Sequence, residues 1–344
     1  MRLQSQSSNA PINPKLPPST WRLRALGFAG AAVLGLSSVA AQAGTLSIGH
    51  TTWVGYGTLY LAQAKGFFKE NGLTVELPTF EDSSSYMAAQ AAGHLDGSAG
   101  TIAELLKYRS PDFCFKTVVV LDGSNGGDGV LTDDAVTSVE QLKGQTVAMN
   151  EGSATQFWLS YLLKQHGLSL SDVTVQNMSA DAAAAAFIAG RVPVAVTWEP
   201  NLSFVRSHDV GHVLVDSSAT PGVIIDVVAL SCDVIDNQPD DVKALVAGLY
   251  QAVDYLKSHP EASYRLMAAG VGGYLKDPAD LAEATKGVEF YGEPGNRRIL
   301  GTQEEPGSIS ALIDVARDTW NQLEDRDISA TYADIVDPTY VEQP

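Results

Sequence analysis

The chain carries an internal repeat. Ala88 to Thr101 reads Ala-Ala-Gln-Ala-Ala-Gly-His-Leu-Asp-Gly-Ser-Ala-Gly-Thr, and Ala184 to Thr197 reads Ala-Ala-Ala-Phe-Ile-Ala-Gly-Arg-Val-Pro-Val-Ala-Val-Thr. Each copy reads as a helix of small residues, a glycine stop, a short turn, a strand and a threonine. The order of elements agrees although the residues drift. Such a duplication predicts two similar α/β lobes, each putting a strand-end loop in the same relative place.

The stretch from Leu46 to Phe68 opens the first of these lobes. Leu46 and Ile48 suit a buried strand, Gly55 and Gly57 punctuate a loop, and Leu59, Leu61, Ala62 and Ala64 suit a packed helix stopped by Gly66. Trp53 and Tyr56 are thereby left on a loop at the carboxyl end of a strand, where open α/β sheets bind ligands. Position alone leaves Trp53 equally suited to a pocket wall or to the core.

Ahead of that stretch, Lys15, Arg22 and Arg24 precede an apolar run from Ala25 to Leu36, and Ala41-Gln42-Ala43 forms a small-x-small cleavage site. Residues 1–43 read as a secretory signal peptide cut near Ala43, and the run is too short to span a bilayer. The leader holds four basic residues and no acid, so the remaining 301 residues carry 18 basic against 40 acidic side chains, a net charge of −22. That balance repels nucleic acid and anionic lipid, while the length supports two cored lobes. Cys114 and Cys232 lie in apolar, strand-like runs; a disulfide and a buried reduced pair both fit an exported chain. The six histidines are scattered and show no metal-ligand spacing, so no metal and no cofactor are expected.

Further along, strand and helix patterns alternate. Strands are predicted at Thr74–Leu77, Gly97–Ala99, Thr117–Leu121, Thr146–Met149, Val173–Met178, Val194–Thr197 and Val223–Cys232. The segment from Asp122 to Gly129 is glycine-rich and polar, and reads as a tight crossing or hinge. After Cys232 the pattern is helical to a last amphipathic helix, Ser308–Leu323. No strand is expected in that tail, which should pack back on the first lobe.

No nucleophile elbow, phosphate loop or dinucleotide fingerprint occurs, so nothing positive favours an enzyme. The strand-end loops instead gather Trp53, Tyr56, Asp82, Thr101, Asp128, Gly152, Ser153, Trp198, Glu199 and Asp226. Aromatics and carboxylates recur there, without Lys or Arg. Ring faces beside carboxylates suit a cation or a nitrogen-rich neutral group. The helix start at Gly152-Ser153-Ala154 offers backbone amides that would suit an anion, so that chemistry stays open. Several residues also have plainer uses. Asp82 can cap the following helix together with Glu81 and Ser83, Asp128 can bond its own turn, and Glu199 can face solvent. Asp226 interrupts an apolar strand and requires either a ligand or a hidden partner.

Four motifs carry a resemblance. They are Gly-Tyr-x-x-Leu-Tyr-Leu-Ala-x-x-x-Gly-Phe-Phe at Gly55–Phe68 with Gly-Leu-x-Val at Gly72–Val75, Ala-Ala-Gly-x-Leu-Asp-Gly at Ala91–Gly97, Ser-Val-x-x-Leu-Lys-Gly-x-x-Val-Ala at Ser138–Ala148 with Glu151-Gly152-Ser153, and Ala-Gly-x-Val-x-x-Ala-Val-Thr-Trp-Glu-Pro at Ala189–Pro200. With them the chain resembles the periplasmic solute-binding proteins of ABC importers, in the nitrate/sulfonate/taurine class. The resemblance implies an α/β, two-lobe periplasmic binding protein fold of type II, with a ligand cleft between the lobes and a two-strand hinge. The first lobe would comprise residues 44–130 and 225–344, the second residues 131–224. The partners implied are a small-molecule ligand and an inner-membrane permease, with the protein periplasmic and a monomer. The family's ligands include nitrate, sulfonates, taurine, pyrimidine precursors and guanidine-like compounds; the loop residues favour an amine or guanidine-like compound. The alternatives are a pyrimidine-precursor synthase of the same fold, whose cysteine-rich motif is missing here, and a ligand-sensing domain.

Overall fold

The computed structural model describes residues 44–272 and 275–342, so the expected leader at residues 1–43 lies outside the described residues. Strands β1 (Gly44–Gly49), β2 (Leu73–Glu76), β3 (Gly97–Thr101) and β4 (Phe115–Ser124) come first. Then follow β5 (Asp128–Thr132), β6 (Thr146–Met149), β7 (Thr174–Asn177), β8 (Val194–Trp198) and β9 (His212–Asp216), and finally β10 (Ile225–Ser231) and β11 (Val288–Phe290). They form two sheets, ordered β2-β1-β3-β10-β4-β11 and β7-β6-β8-β5-β9. This is the two-lobe α/β architecture the sequence predicts.

The two sheets are built alike. In the first, β1 pairs in parallel with β2 and β3; in the second, β6 pairs in parallel with β7 and β8. The repeated helix–strand units supply the inner parallel strand in each case, as Ser83–Ala91 leads to β3 and Ala180–Ile188 leads to β8. An antiparallel strand then lies beside each of them, β10 beside β3 and β5 beside β8. β4, β5 and β10 are buried on both faces, as sheets covered by helices require, and β4 and β10 carry apolar runs.

The antiparallel strands are also the ones that cross between lobes. Residues 125–127 join β4 of the first sheet to β5 of the second, ahead of the expected boundary after residue 130, which falls inside β5. Residues 217–224 bring the chain back from β9 to β10. The Ser217 hydroxyl clasps the two crossings: it lies 2.7 Å from Ser124 Oγ and accepts the Gly126 N–H at 2.7 Å. The Asp122–Gly129 segment is thus partly strand and partly crossing, because β4 runs on through Ser124 before the glycines release it.

Three strands escape the sequence pattern. β5 and β9 are short and follow turns rather than apolar runs, and β11 lies in the tail, which was expected to hold no strand. β11 pairs antiparallel with β4 as the edge of the first sheet. The last long helix, Ile309–Glu324, does pack on the first lobe: the Trp320 indole donates to the Ala103 carbonyl at 2.6 Å. Its ring also stands 6.4 Å from that of Phe157, on a helix of the second lobe. Cys114 and Cys232 are joined as a disulfide that ties the start of β4 to the end of β10. No helix among the described residues is long and apolar enough to cross a membrane.

Candidate functional site

A small cavity opens where the carboxyl ends of the parallel strands face one another across the hinge. Its volume is about 30 Å³, room for a few water-sized centres. The first lobe lines it with Thr51, Trp53 and Tyr56 after β1, with Ser83, with Thr101 and Glu104 after β3, and with Ile224 and Asp226 at β10. The second lobe adds Asp128 from β5, Asn150 and Ala154 after β6, and Trp198 from the end of β8.

The topology explains why two of the carboxylates meet here. Asp128 opens β5 and is the register partner of Trp198; Asp226 sits near the start of β10 and is the register partner of Thr101. Both strands enter their sheets directly after a crossing, so their first residues must border the cleft. Asp226 is 3 % exposed, and its hidden partner is Tyr56, whose hydroxyl donates to Oδ1 at 2.7 Å. Val227, Val228, Ala229 and Leu230 beside it are fully buried. Each buried Val or Leu is worth about 1.5–3 kcal/mol, so the strand can carry one costly carboxylate.

The aromatic walls are fixed by hydrogen bonds. The Trp53 indole donates to Asp122 Oδ1 at 3.0 Å, beneath the cavity floor. Glycines make this approach possible: a Cβ on Gly55 would stand 2.2 Å from Trp53 Nε1, and one on Gly127 would stand 2.5 Å from the Trp53 ring. Trp198 reaches across the lobes, its indole donating to the Thr52 carbonyl at 2.9 Å. Trp53 is therefore a wall and a packed residue at once, which resolves the choice that position left open.

Burial dominates the electrostatics. It pushes Asp128 up to about 7, with Glu199 and Glu104 adding to the rise and the Ser124 hydroxyl opposing it. Burial likewise pushes Glu104 up to about 7, against the Ser83 hydroxyl and the Lys107 ammonium. Asp226 is raised well above the ordinary carboxylate range, by burial first and then by the charge of Asp122, its cross-strand register partner. Asp122 is itself raised by burial, and its Oδ2 has no hydrogen-bond partner among the described residues. Among the described residues no Lys or Arg lines the cavity, and Lys107 is turned to Glu324 at 3.3 Å and to the rings of Trp320 and Tyr108. Buried carboxylates drawn together in this way form a site that gains from a positive guest.

Trp53, Tyr56, Thr101, Asp128, Trp198 and Asp226 thus share one cavity. Four expected residues do not line it. Asp82 caps the helix Ser83–Ala91, accepting the Ser85 N–H at 2.9 Å. The Gly152 amide is taken by Gln156 Oε1 at 2.5 Å, and the Ser153 hydroxyl donates to the Asn150 carbonyl at 2.7 Å while capping the helix Ala154–Gln165. Glu199 is buried but turned away, paired with Arg206 at 2.6 Å and accepting the Ser203 N–H at 3.0 Å. Conversely, the sequence reading passed over Glu104, Asn150 and Ser83. Glu104 carried a signal, since it is an acid inside the apolar run Ile102-Ala103-Glu104-Leu105-Leu106, the same anomaly that marks Asp226.

Comparison with known proteins bears on the family and the fold. The family described as NMT1/THI5 like matches residues 54–263. A Brucella abortus protein provisionally named a binding protein is 26% identical over 241 residues, 68% of this chain and 72% of that protein. The taurine-binding periplasmic protein of Escherichia coli is 24% identical over 272 residues, 75% of this chain and 81% of its own. A fungal enzyme also matches, the 4-amino-5-hydroxymethyl-2-methylpyrimidine phosphate synthase of Aspergillus parasiticus, 25% identical over 60% of this chain and 64% of its own. Among solved structures, the periplasmic aliphatic sulphonate binding protein of E. coli superposes with a TM-score of 0.68 at 18% identity, covering 83% of this chain and 94% of that one.

Proposed function

The chain belongs to the NMT1/THI5-like family, and on that premise we propose that it is the extracytoplasmic solute-binding component of an ABC importer, closing on a small nitrogenous cation of the amine, amidine or guanidinium class. One observation carries the choice of ligand: Asp128, Asp226 and Glu104 converge between the Trp53 and Trp198 walls, and no Lys or Arg among the described residues joins them. Ring faces attract a cation and the carboxylates accept its N–H donors. Nitrate or a simple sulfonate would meet only negative or neutral groups there.

The ligand sits between the lobes in this reading, so binding favours closure and presents both lobes to a permease in the inner membrane. The two jaws in this reading carry β1–β4 with β10 and β11 on one side and β5–β9 on the other. The reading is of a binding protein and not an enzyme, and the relatives named as binding proteins support it. A second reading is a zwitterion such as taurine. What favours it is Ala154, first residue of the helix Ala154–Gln165, at the second-lobe wall, where an N-terminal helix dipole suits an anionic end.

Isothermal titration against guanidinium, methylamine, taurine, ethanesulfonate and nitrate tests both. Guanidinium or methylamine binding, with no response to ethanesulfonate or nitrate, is expected. Taurine alone would favour the second reading. Ethanesulfonate or nitrate binding without any cation response overturns the cation assignment.

A further inference from the structure

The inner cavity has a neighbour. A groove of about 590 Å³ lies directly beside it, and the two share Thr51 and Trp198. Trp198 is half-buried and held by its bond to the Thr52 carbonyl, so its ring borders both the small inner space and the larger outer one. Phe80 walls the groove from the first lobe. Ala180, Ala182 and Ala185 wall it from the second, on the helix Ala180–Ile188. The short alanine side chains are what leave the space open. Glu81 and Asp181, both exposed, stand at the groove, and no Lys or Arg among the described residues lines it.

We propose that this groove is a second subsite for the same ligand: the cationic head occupies the inner cavity and a short N-alkyl arm passes Trp198 into the groove. This rests on the cation reading of the cleft. The disparity in size motivates it, since the inner cavity holds little beyond a guanidinium-sized head while the adjoining space offers Phe80, Trp198 and three alanines to an alkyl arm, among threonines, a serine and the two acids. Each methylene removed from water is worth about fourfold in affinity. The acidic rim sets what the far end of the arm can be: a neutral or basic terminus is accepted and a carboxylate is repelled. The exposed carboxylates contribute less than the methylenes, because solvent and salt screen them. The ligand class is therefore an N-alkyl guanidinium or amidinium, neutral or aminated at its end.

Titration of the full chain with guanidinium, N-butylguanidinium, 4-aminobutylguanidinium and 4-guanidinobutyrate tests the subsite. N-butyl- and 4-aminobutylguanidinium are expected to bind at least tenfold tighter than guanidinium, and 4-guanidinobutyrate to lose that gain. Ala182→Trp fills the groove from an exposed position and should abolish the tenfold advantage while leaving guanidinium affinity unchanged. Ala185→Phe serves the same end if Ala182→Trp does not fold. Equal binding of guanidinium and N-butylguanidinium by the wild type overturns the subsite and leaves the cation reading standing. An advantage that survives the groove-filling substitution overturns it too. Absence of binding by every guanidinium compound removes the cation reading and the subsite together.

Discussion

Asp128 and Asp226 are equivalent residues of the two halves. Each lies at the entry of the antiparallel strand that its sheet receives straight from a crossing, and each faces the end of the strand that closes a copy of the internal repeat, Trp198 in one case and Thr101 in the other. Two lobes of one design, joined by short crossings, bring the same position of each to the shared cleft. The pair of acids is therefore a product of the duplication. A hydrogen-bonding cation held between them would contact both lobes at once.

Neutralising either acid should weaken cation binding without unfolding the chain, since asparagine keeps the shape. A hydrogen bond to a charged group is worth about 1.5–3 kcal/mol, so Asp128→Asn or Asp226→Asn should weaken guanidinium binding roughly 10- to 100-fold. Calorimetric titration at pH 7.5 gives the comparison. Unchanged affinity in both variants would remove the two carboxylates from the ligand's contacts.

The same acids set a pH dependence. Burial raises Asp128 and Glu104 to about 7, so the folded chain holds protons that the unfolded chain gives up near pH 4. Their contribution to stability is full below pH 4 and is lost as pH rises toward and through about 7. The unliganded protein should thus melt at falling temperature from pH 5 to pH 8, and Asp128→Asn should flatten that slope. Burial lowers His50 and works in the opposite sense on acidification, but it is common to both proteins and cancels in the difference. A cation favours the ionised acids, so guanidinium affinity should rise over the same interval. Parallel melting curves for wild type and Asp128→Asn would show that Asp128 does not titrate there.

Much of this was legible in the chain itself. The two lobes follow from the repeat, and Asp226 stood out as a charge in the run Val-Ile-Ile-Asp-Val-Val. Six of the ten expected residues line the cavity because strand ends are places that topology fixes. The misses have a common cause. Glu199 and Asp82 are acids on strand-end loops, but each found a nearer partner: Arg206 seven residues further on, and the free N–H groups of the helix after Asp82. Local capping and pairing depend on where side chains point, which spacing does not encode. β5 and β9 were missed because each is a short strand whose pairing comes from residues distant in sequence, β5 lying between β8 and β9.

Gly55 should be intolerant of any side chain. A Cβ there would lie 2.2 Å from Trp53 Nε1 and 2.4 Å from Asp122 Oδ1, closer than atoms approach. Gly55→Ala must therefore break the Trp53–Asp122 hydrogen bond or move the ring, leaving a buried carboxylate with one more unpaired oxygen. The expected cost is about 1–3 kcal/mol in urea denaturation, with a shift in tryptophan emission as the indole is displaced. A stability and emission spectrum like the wild type's would mean that the loop relaxes freely around the new methyl.

The disulfide should matter for stability and not for binding. It joins residues 118 apart, and a loop of that size confines the unfolded chain by about 4–5 kcal/mol in the chain-entropy account, with removal costing about 2–5 kcal/mol in practice. Cys232 lies just beyond the end of β10, at Ser231, while Asp226 lies near its start, so the bond and the cleft occupy opposite ends of one strand. The double substitution Cys114→Ser, Cys232→Ser should lower the urea midpoint by the equivalent of about 2–5 kcal/mol and leave guanidinium affinity within about twofold of wild type. Denaturation and calorimetry on the same sample separate the two effects. A loss of affinity with the midpoint unchanged would mean that the bond sets the register of β10 at the cleft, and that Asp226 is placed by the disulfide and not by the crossing.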